Sequence, residues 1–398
     1  MNTSDILIIG GGAMGTAAAF ELARRGKSVR IFEQFAIGHD LGSSHGYSRI
    51  IRRAYYEHPD YVPFVMRAYE LWRKLERLSG ERLLTTTGIV EMGAADSPLF
   101  RGSVLSCTQH NIPHEILDAA QIMRRFPQFV VPETMRGVWQ QDAGILAVER
   151  CILTYRLAAR NAGALLHEEE EVLDFEASKS GVRVRTRKGT YRAKQAVVCA
   201  GAWAGRMLAD LNLPLTVTRQ TLGFFTPKKR ELFELGKFPL FLMDVGHEPR
   251  PQGSGMNVAR RSRSPAVAAR NHSFYGFPFF GVDCMKVADH SHGPTVTPGT
   301  VDRNFNAADE ANLRAFLDAH IPEAAGRLSF GKVCLYTNTP DCDFILDAHP
   351  KHKNVFIAAG FSGHGFKFSS AVGEIMAELC GSGKTQQRIE RFAIKRFA

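Results

Sequence analysis

The run Asp5-Ile-Leu-Ile-Ile-Gly10-Gly-Gly12-Ala-Met-Gly15, with the second apolar stretch that ends at Glu33, decides the fold. An Ile-rich segment suits a buried parallel strand, and Gly10, Gly12 and Gly15 follow it at G-x-G-x-x-G spacing. Small and apolar residues from Thr16 to Arg25 predict a helix stopped by Gly26, and Ser28 to Phe32 predict a second strand. Gly10 suits the tight turn, Gly12 lets backbone N–H groups approach a pyrophosphate, and Gly15 lets helix and strand pack closely. Glu33, 18 residues after Gly15, is placed to accept hydrogen bonds from a ribose diol. The unit predicts a dinucleotide site. An acid at that position disfavours a 2′-phosphate, and so NADP, while FAD and NAD both stay open on these residues.

A chain of 398 residues has room for two domains, or for one large α/β body with an inserted module. It contains no uninterrupted apolar run of about 18 residues, so no membrane span is expected. Met1 to Ser4 lead straight into the first strand and leave no room for a signal peptide, which makes the cytoplasm the expected location. Seven scattered cysteines, odd in number and never in C-x-x-C spacing, fit neither a disulfide framework nor a zinc site, and no metal is expected. The net charge of +10 is concentrated in the segment from Arg250 to Arg270 and the tail from Lys384. Two basic patches without interleaved aromatic platforms read as solvated surface, and nucleic acid is not expected as a partner.

Further along, helical periodicity covers Tyr61 to Leu78, Ala147 to Gly163, Ala204 to Leu211, 308–321 and Ser369 to Cys380. Strand-like runs occupy Gly88 to Met92, Lys194 to Cys199, Val217 to Phe225, Phe238 to Val245, Tyr275 to Phe280, Met285 to Val287, Lys332 to Tyr336 and Asn354 to Ala359. This order predicts an α/β protein in which a Rossmann-type nucleotide domain (1–86, 147–218 and 322–398) is interleaved with an antiparallel-sheet α+β substrate domain (87–146 and 219–321). The stretch 249–271, rich in Arg, Gly, Ser and Pro and without an apolar pattern, reads as an insertion loop.

Four blocks carry a family likeness: GGGAMG near the start, GSSHGYSRIIRRAY (Gly42–Tyr55), KVCLYTNTPDCDFILD (Lys332–Asp347) and AAGFSGHGFKFSS (Ala358–Ser370). In order and spacing the chain resembles, nearly end to end, the monomeric sarcosine oxidase and N-methyltryptophan oxidase family of flavoprotein amine oxidases. The resemblance implies FAD rather than NAD. A lone cysteine in a strand is ordinarily a buried apolar residue, but the likeness implies that Cys334 forms a thioether to the 8α carbon of the flavin. Such a tether retains the cofactor and withdraws electron density from the ring.

The same resemblance implies the remaining site. Arg52 and Lys367 hold a substrate carboxylate, Tyr275 and Tyr336 line the pocket, and His290 lies near the substrate. His45 and Arg49 flank the flavin ring, Gly363, Gly365 and Lys367 belong to the cofactor-binding turn, and Lys286 promotes reaction with O₂. The implied activity is oxidation of a secondary amine such as sarcosine or another N-methyl amino acid to a primary amino acid, formaldehyde and H₂O₂. The implied partners are the small amine and O₂, acting on a monomer. The alternatives are a cyclic or bulkier substrate (pipecolate, saccharopine or a glycated amino acid), or a flavin kept only for structure. Two departures from the family stand out: Ser44-His45-Gly46-Tyr47-Ser48 replaces the usual His-His-Gly-Asp-Thr, and the 249–271 segment is extra.

Overall fold

The computed structural model describes residues 2–246, 272–291 and 293–397, so the expected insertion loop at 249–271 lies outside the described residues. The opening strand, Thr3–Ile9, pairs in parallel with Val29–Phe32 on one side and Thr190–Val198 on the other. Val355–Ala359 continues the parallel order beyond Thr190–Val198, and Leu165–His167 continues it beyond Val29–Phe32. Ile6, Leu7 and Ile8 are fully buried, as a strand covered on both faces requires.

The helix Ala13–Ala23 packs against Val148–Asn161 and Ser369–Ser382, which explains its alanines: Ala17, Ala18 and Ala19 are wholly buried. Close approach governs the turn ahead of it. Gly10 has φ +106°, and a Cβ on it would lie 2.4 Å from the Cys199 carbonyl oxygen. A Cβ on Gly15 would lie 1.8 Å from the Gly10 carbonyl oxygen, so no larger residue allows this helix to start where it does.

A second sheet contains Glu115–Asp118, Met135–Gln140, Ile89–Ala94, Leu240–Asp244, Ser273–Phe277, Met285–Asp289, Thr216–Thr226 and Arg327–Asn338, in that spatial order. All neighbours are antiparallel except Ile89–Ala94 with Leu240–Asp244. One face packs on the helix Ala307–His320, with Phe274 stacked 4.2 Å from Phe316. The other face carries cross-strand rows that build the site. Phe277, Lys286, Phe224 and Phe330 form one row, and Glu91, Leu242, Tyr275, Ala288 and Leu222 form the next. Directly opposed residues share a face, so Lys286 and Glu91 stand among apolar and aromatic neighbours, while Lys332 opposite Leu222 ends the second row.

The structure departs from the sequence reading in three places. The strand expected at Lys332 to Tyr336 spans Arg327–Asn338, and it pairs along its length with Thr216–Thr226 in the second sheet. The helix expected from Ala204 to Leu211 breaks after Met207, and a 3₁₀ turn Ala209–Leu211 ends at left-handed Asn212. A small third sheet of Ser48–Ile51, Gly144–Ala147 and Leu84–Thr86 was not expected, because each strand is only three or four residues long. It fixes the segment that carries Arg49 and Arg52. Among the described residues no helix is long and apolar enough to cross a membrane.

Candidate active site

A cleft of about 1320 Å³ runs along the carboxyl end of the first sheet, from Gly10, Gly12 and Glu33 to Arg49, Tyr336, Gly363 and Gly365. Gly12 is the N-cap of the helix Ala13–Ala23, and a Cβ there would meet nothing nearer than Ser44 Oγ at 3.9 Å. Its open side therefore presents helix N–H groups to the cleft. The Glu33 carboxylate accepts from the Gly11 N–H at 2.8 Å and the Phe35 N–H at 3.1 Å, which fixes its place beside the turn. At the far end Gly363, with φ +81°, leaves room for the Tyr336 ring, which a Cβ would approach to 2.3 Å.

His45 follows Ser43 and Ser44 of the cleft wall, is 2% exposed, and has no hydrogen-bond partner on either ring nitrogen. Burial first, then Arg49 and Lys332, pushes its pKa down to about 3, so the ring is neutral. A dinucleotide fits this cleft. It answers the open helix terminus and the acid beside the turn.

Arg49 lies at the junction. It donates to the Ser43 carbonyl at 2.8 Å and the Ser48 carbonyl at 2.9 Å, and it approaches Cys334 Sγ to 3.8 Å. Cys334 is 1% exposed, and burial raises its thiol pKa against the pull of Arg49 and Lys286. Lys286 reaches across the row of phenylalanines to donate to the carbonyls of Gly46 (3.0 Å) and Ser48 (2.8 Å), with Ser48 Oγ at 3.3 Å. Those three acceptors match the three hydrogens of an ammonium, although burial and then Arg49 hold its pKa well below the usual lysine value. The same loop is held from the other side, where Glu149 accepts from the Gly46 N–H at 2.8 Å and the Tyr47 N–H at 3.1 Å.

A second cavity of about 520 Å³ shares Arg49, Tyr336, Gly363 and Phe366 with the cleft. Ile50, Leu242 and Tyr275 form its apolar wall, and Arg52 and Lys367 lie at its polar end. Arg52 is 3% exposed and carries two carboxylates. It donates to both Glu57 oxygens at 2.9 and 3.1 Å, and its Nε lies 3.1 Å from Glu91. A further N–H goes to the Ala54 carbonyl, and the guanidinium lies 4.5 Å from the Tyr55 ring centre.

Burial acts to raise Glu57, but Arg52, His364 and Lys367 outweigh it and hold the pKa at about 2. Glu91 is fully buried, and desolvation pushes it up to about 7 even with Arg52 opposing. Lys367 donates to the His364 carbonyl at 2.8 Å and the Tyr55 hydroxyl at 3.3 Å; burial, then Arg52, lowers its pKa to about 7. His290 Nδ1 lies 3.2 Å from the Tyr336 hydroxyl, and burial keeps that ring neutral with a pKa of about 3.

The fifteen residues expected for the site thus fall at or beside two adjoining spaces. Residues of evident weight also escaped the sequence reading: Tyr55, Glu57, Glu91, Glu149 and His364. Glu91 had a local signal, as an acid inside the apolar strand Ile89–Ala94, and His364 lay within the recognised Ala358–Ser370 block. Glu57 and Glu149 had none.

A glycine turn on a parallel sheet, with a second sheet bringing a lysine and a cysteine to the far end of the same cleft, defines a dinucleotide-dependent oxidoreductase. The chain belongs to the FAD dependent oxidoreductase family, whose sequence model matches residues 5–379, and within it to the monomeric sarcosine oxidase and N-methyltryptophan oxidase group. Its cofactor is FAD, and it is a flavoprotein amine oxidase. It is 38% identical to the monomeric sarcosine oxidase of Bacillus sp. (strain NS-129), over 99% of this chain and 97% of that protein. It is 33% identical to the N-methyl-L-tryptophan oxidase of Escherichia coli (strain K12), over 99% of each. Among solved structures, NikD, an unusual amino acid oxidase essential for nikkomycin biosynthesis, is similar with a TM-score of 0.84 at 23% identity, covering 99% of this chain and 98% of NikD. L-proline dehydrogenase from P. horikoshii gives a TM-score of 0.81 at 23% identity, covering 100% and 98%. At that identity the two structures attest the fold alone.

Proposed function

We propose that the protein oxidises small N-methyl amino acids, sarcosine among them, with O₂ as the final acceptor. The observation that carries this reading is the pair of buried cations, Arg52 and Lys367, at one end of a cavity that opens on the cofactor cleft. The names of the full-length relatives support it. With Nε and Nη2 of Arg52 taken by Glu91 and Glu57 and one Nη1 hydrogen by the Ala54 carbonyl, the guanidinium has its remaining Nη1 hydrogen and its charge to offer the substrate carboxylate, and the Lys367 ammonium adds a point charge, which leaves the N-methyl carbon aimed toward the shared wall at Arg49, Gly363 and Phe366. FAD supplies the two-electron acceptor that O₂ renews, so that R–NH–CH₃, O₂ and water give R–NH₂, formaldehyde and H₂O₂.

Around that exchange the side chains have separate tasks. Tyr275, Tyr336 and the neutral His290 wall the amine end of the cavity. Arg49, with neutral His45 beside it, brings positive charge to the end of the cleft where negative charge develops. Lys286 brings an ammonium to the side where O₂ is reduced. Gly10, Gly12, Gly15 and Glu33 take the ADP half, and Gly363 and Gly365 leave space at the other end. In this division of labour the segments 1–86, 147–218 and 322–398 carry the FAD-binding domain, except that the strand Arg327–Asn338 is built into the second sheet, and 87–146 with 219–321 form the substrate domain. The seven cysteines, all free, suit a reducing cytoplasm, and the designation "monomeric" borne by several relatives supports a monomer.

Anaerobic mixing with sarcosine, N-methyltryptophan and pipecolate tests the substrate class. Sarcosine or N-methyltryptophan is expected to bleach the flavin; bleaching by pipecolate alone selects a cyclic amine, and no bleaching rejects the reading. We further propose that Cys334 tethers the flavin, supported by its burial at the Arg49 end of the cleft. After acid precipitation the yellow fluorescence is expected to stay with the wild-type chain and to pass into the supernatant for Cys334→Ser. Free flavin from the wild type removes the tether.

A further inference from the structure

Tyr55 touches both cations of the carboxylate site, yet the reaction outlined above gives it no task. Its ring centre lies 4.5 Å from the Arg52 guanidinium, and its hydroxyl lies 3.3 Å from Lys367 Nζ and 2.7 Å from His364 Nδ1. The directions of these hydrogen bonds follow by elimination. His364 Nε2 is 3.0 Å from the Cys342 carbonyl, which can only accept, so Nε2 carries a hydrogen, and in the neutral ring Nδ1 is the acceptor. The His364 carbonyl is 3.5 Å from the Tyr55 hydroxyl but 2.8 Å from Lys367, so the lysine takes it. The tyrosine hydroxyl therefore gives its hydrogen to Nδ1 and keeps its lone pairs for the ammonium.

The ring cannot turn away from this arrangement. Tyr55 is 0% exposed, stacks on Tyr61 at 4.7 Å and meets the edge of Phe368 at 5.3 Å. We propose that Tyr55 is a positioning residue that holds Arg52 and Lys367 together as one carboxylate clamp, with His364 setting the direction of its hydroxyl. The inference rests on the assignment of those two cations to the substrate carboxylate. Two like charges at one end of a buried cavity repel, and Arg52 already depresses Lys367. The tyrosine answers each cation differently, offering a π face to the guanidinium and an oxygen to the ammonium.

Loss of that oxygen leaves Lys367 with the His364 carbonyl as its remaining hydrogen-bond acceptor here, and its ammonium then titrates at lower pH. The charged and titratable groups that face Lys367 are Arg49, Arg52, Glu57 and Glu91, together with His290 and His364 across the cavity. Of these, Glu91 titrates in the same range, at about 7. Its ionisation weakens carboxylate binding in the same direction as the loss of the Lys367 proton, so the pH series belongs in a Glu91→Gln background.

The probe is butyrate, which is sarcosine with its nitrogen replaced by a methylene, titrated into the holoenzyme and read by the flavin absorbance shift. Affinity is expected to fall as pH rises through about 7. Tyr55→Phe keeps the ring under Arg52, and it is expected to weaken butyrate about tenfold and to move this limb to lower pH. The loss in turnover of the N-methyl substrate falls on KM rather than on kcat. His364→Asn keeps an acceptor at the place of Nδ1 and is expected to stay near wild type, whereas His364→Leu follows Tyr55→Phe. Butyramide, which lacks the charge, binds all variants alike. Wild-type butyrate affinity with an unmoved limb in Tyr55→Phe overturns the proposal, as does an equal loss of butyramide. If Tyr55→Phe yields no holoenzyme, the two His364 variants decide. A wild-type enzyme that ignores butyrate overturns the carboxylate assignment itself.

Discussion

In Lys286→Met, reduction of the flavin by the amine is expected to proceed at a near-normal rate, while reoxidation by O₂ slows by about 10²–10³-fold, the usual loss when one preorganised donor is removed from a developing anion. Lys286 lies in a cross-strand row between Phe277 and Phe224, with its Nζ 4.6 Å from the Phe277 ring. Methionine preserves the unbranched stem and its packing in that row but removes the charge. The substrate cavity does not include Lys286, which is why the two half-reactions separate. Stopped-flow measurement of each half-reaction decides the matter; equal rates of reoxidation in the two proteins reject a role for the lysine in O₂ chemistry.

Arg52→Met is expected to damage both stability and binding. The substitution leaves Glu57 and Glu91 without the guanidinium that both contact, and stranding buried charge of this kind typically costs about 3–5 kcal/mol. Glu91 is already raised to about 7 with Arg52 in place, and without it this carboxyl binds its proton still more tightly in the folded chain than in the unfolded one. Stability then falls as pH rises from the ordinary carboxylate range through the raised folded value, so the deficit against wild type grows with pH. Melting temperatures at pH 6 and pH 8 read this slope, and a deficit of equal size at both values refutes it. KM for the N-methyl substrate is expected to rise by two orders of magnitude or more, on the scale of about 2–5 kcal/mol for one truncated partner of a buried charge pair.

What the sequence disclosed was local in nature. The strand Thr3–Ile9, the helix Ala13–Ala23 and the helix Tyr61–Ser79 announce themselves because apolar spacing and glycine position act over a single turn or pleat. The family blocks carried recognition of the cofactor, since Cys334, Gly363 and Lys367 stand inside long contiguous motifs. The carboxylate site was only half legible. Tyr55 and His364 are 309 positions apart, and Lys286 is 238 positions from the Ser48 carbonyl it holds, so no periodicity joins them. Glu91 illustrates a subtler failure. An acid in a strand ordinarily marks the solvent face, and only the cross-strand row with Leu242 and Tyr275 turns it inward. The short third sheet was invisible for want of length, although it sets the path from Arg49 to Arg52.

The first and the last parts of the chain meet in one sheet: Thr3–Ile9 pairs with Thr190–Val198, which pairs with Val355–Ala359. The glycine turn that completes the cleft follows at Gly360, Gly363 and Gly365. During synthesis the nucleotide turn therefore leaves the ribosome some 350 residues before the wall that closes over the cofactor. Neither sheet encloses a complete pocket until that wall has emerged. Cofactor capture must therefore wait for that turn, and a nascent chain halted short of Gly360 offers flavin a handle without a site.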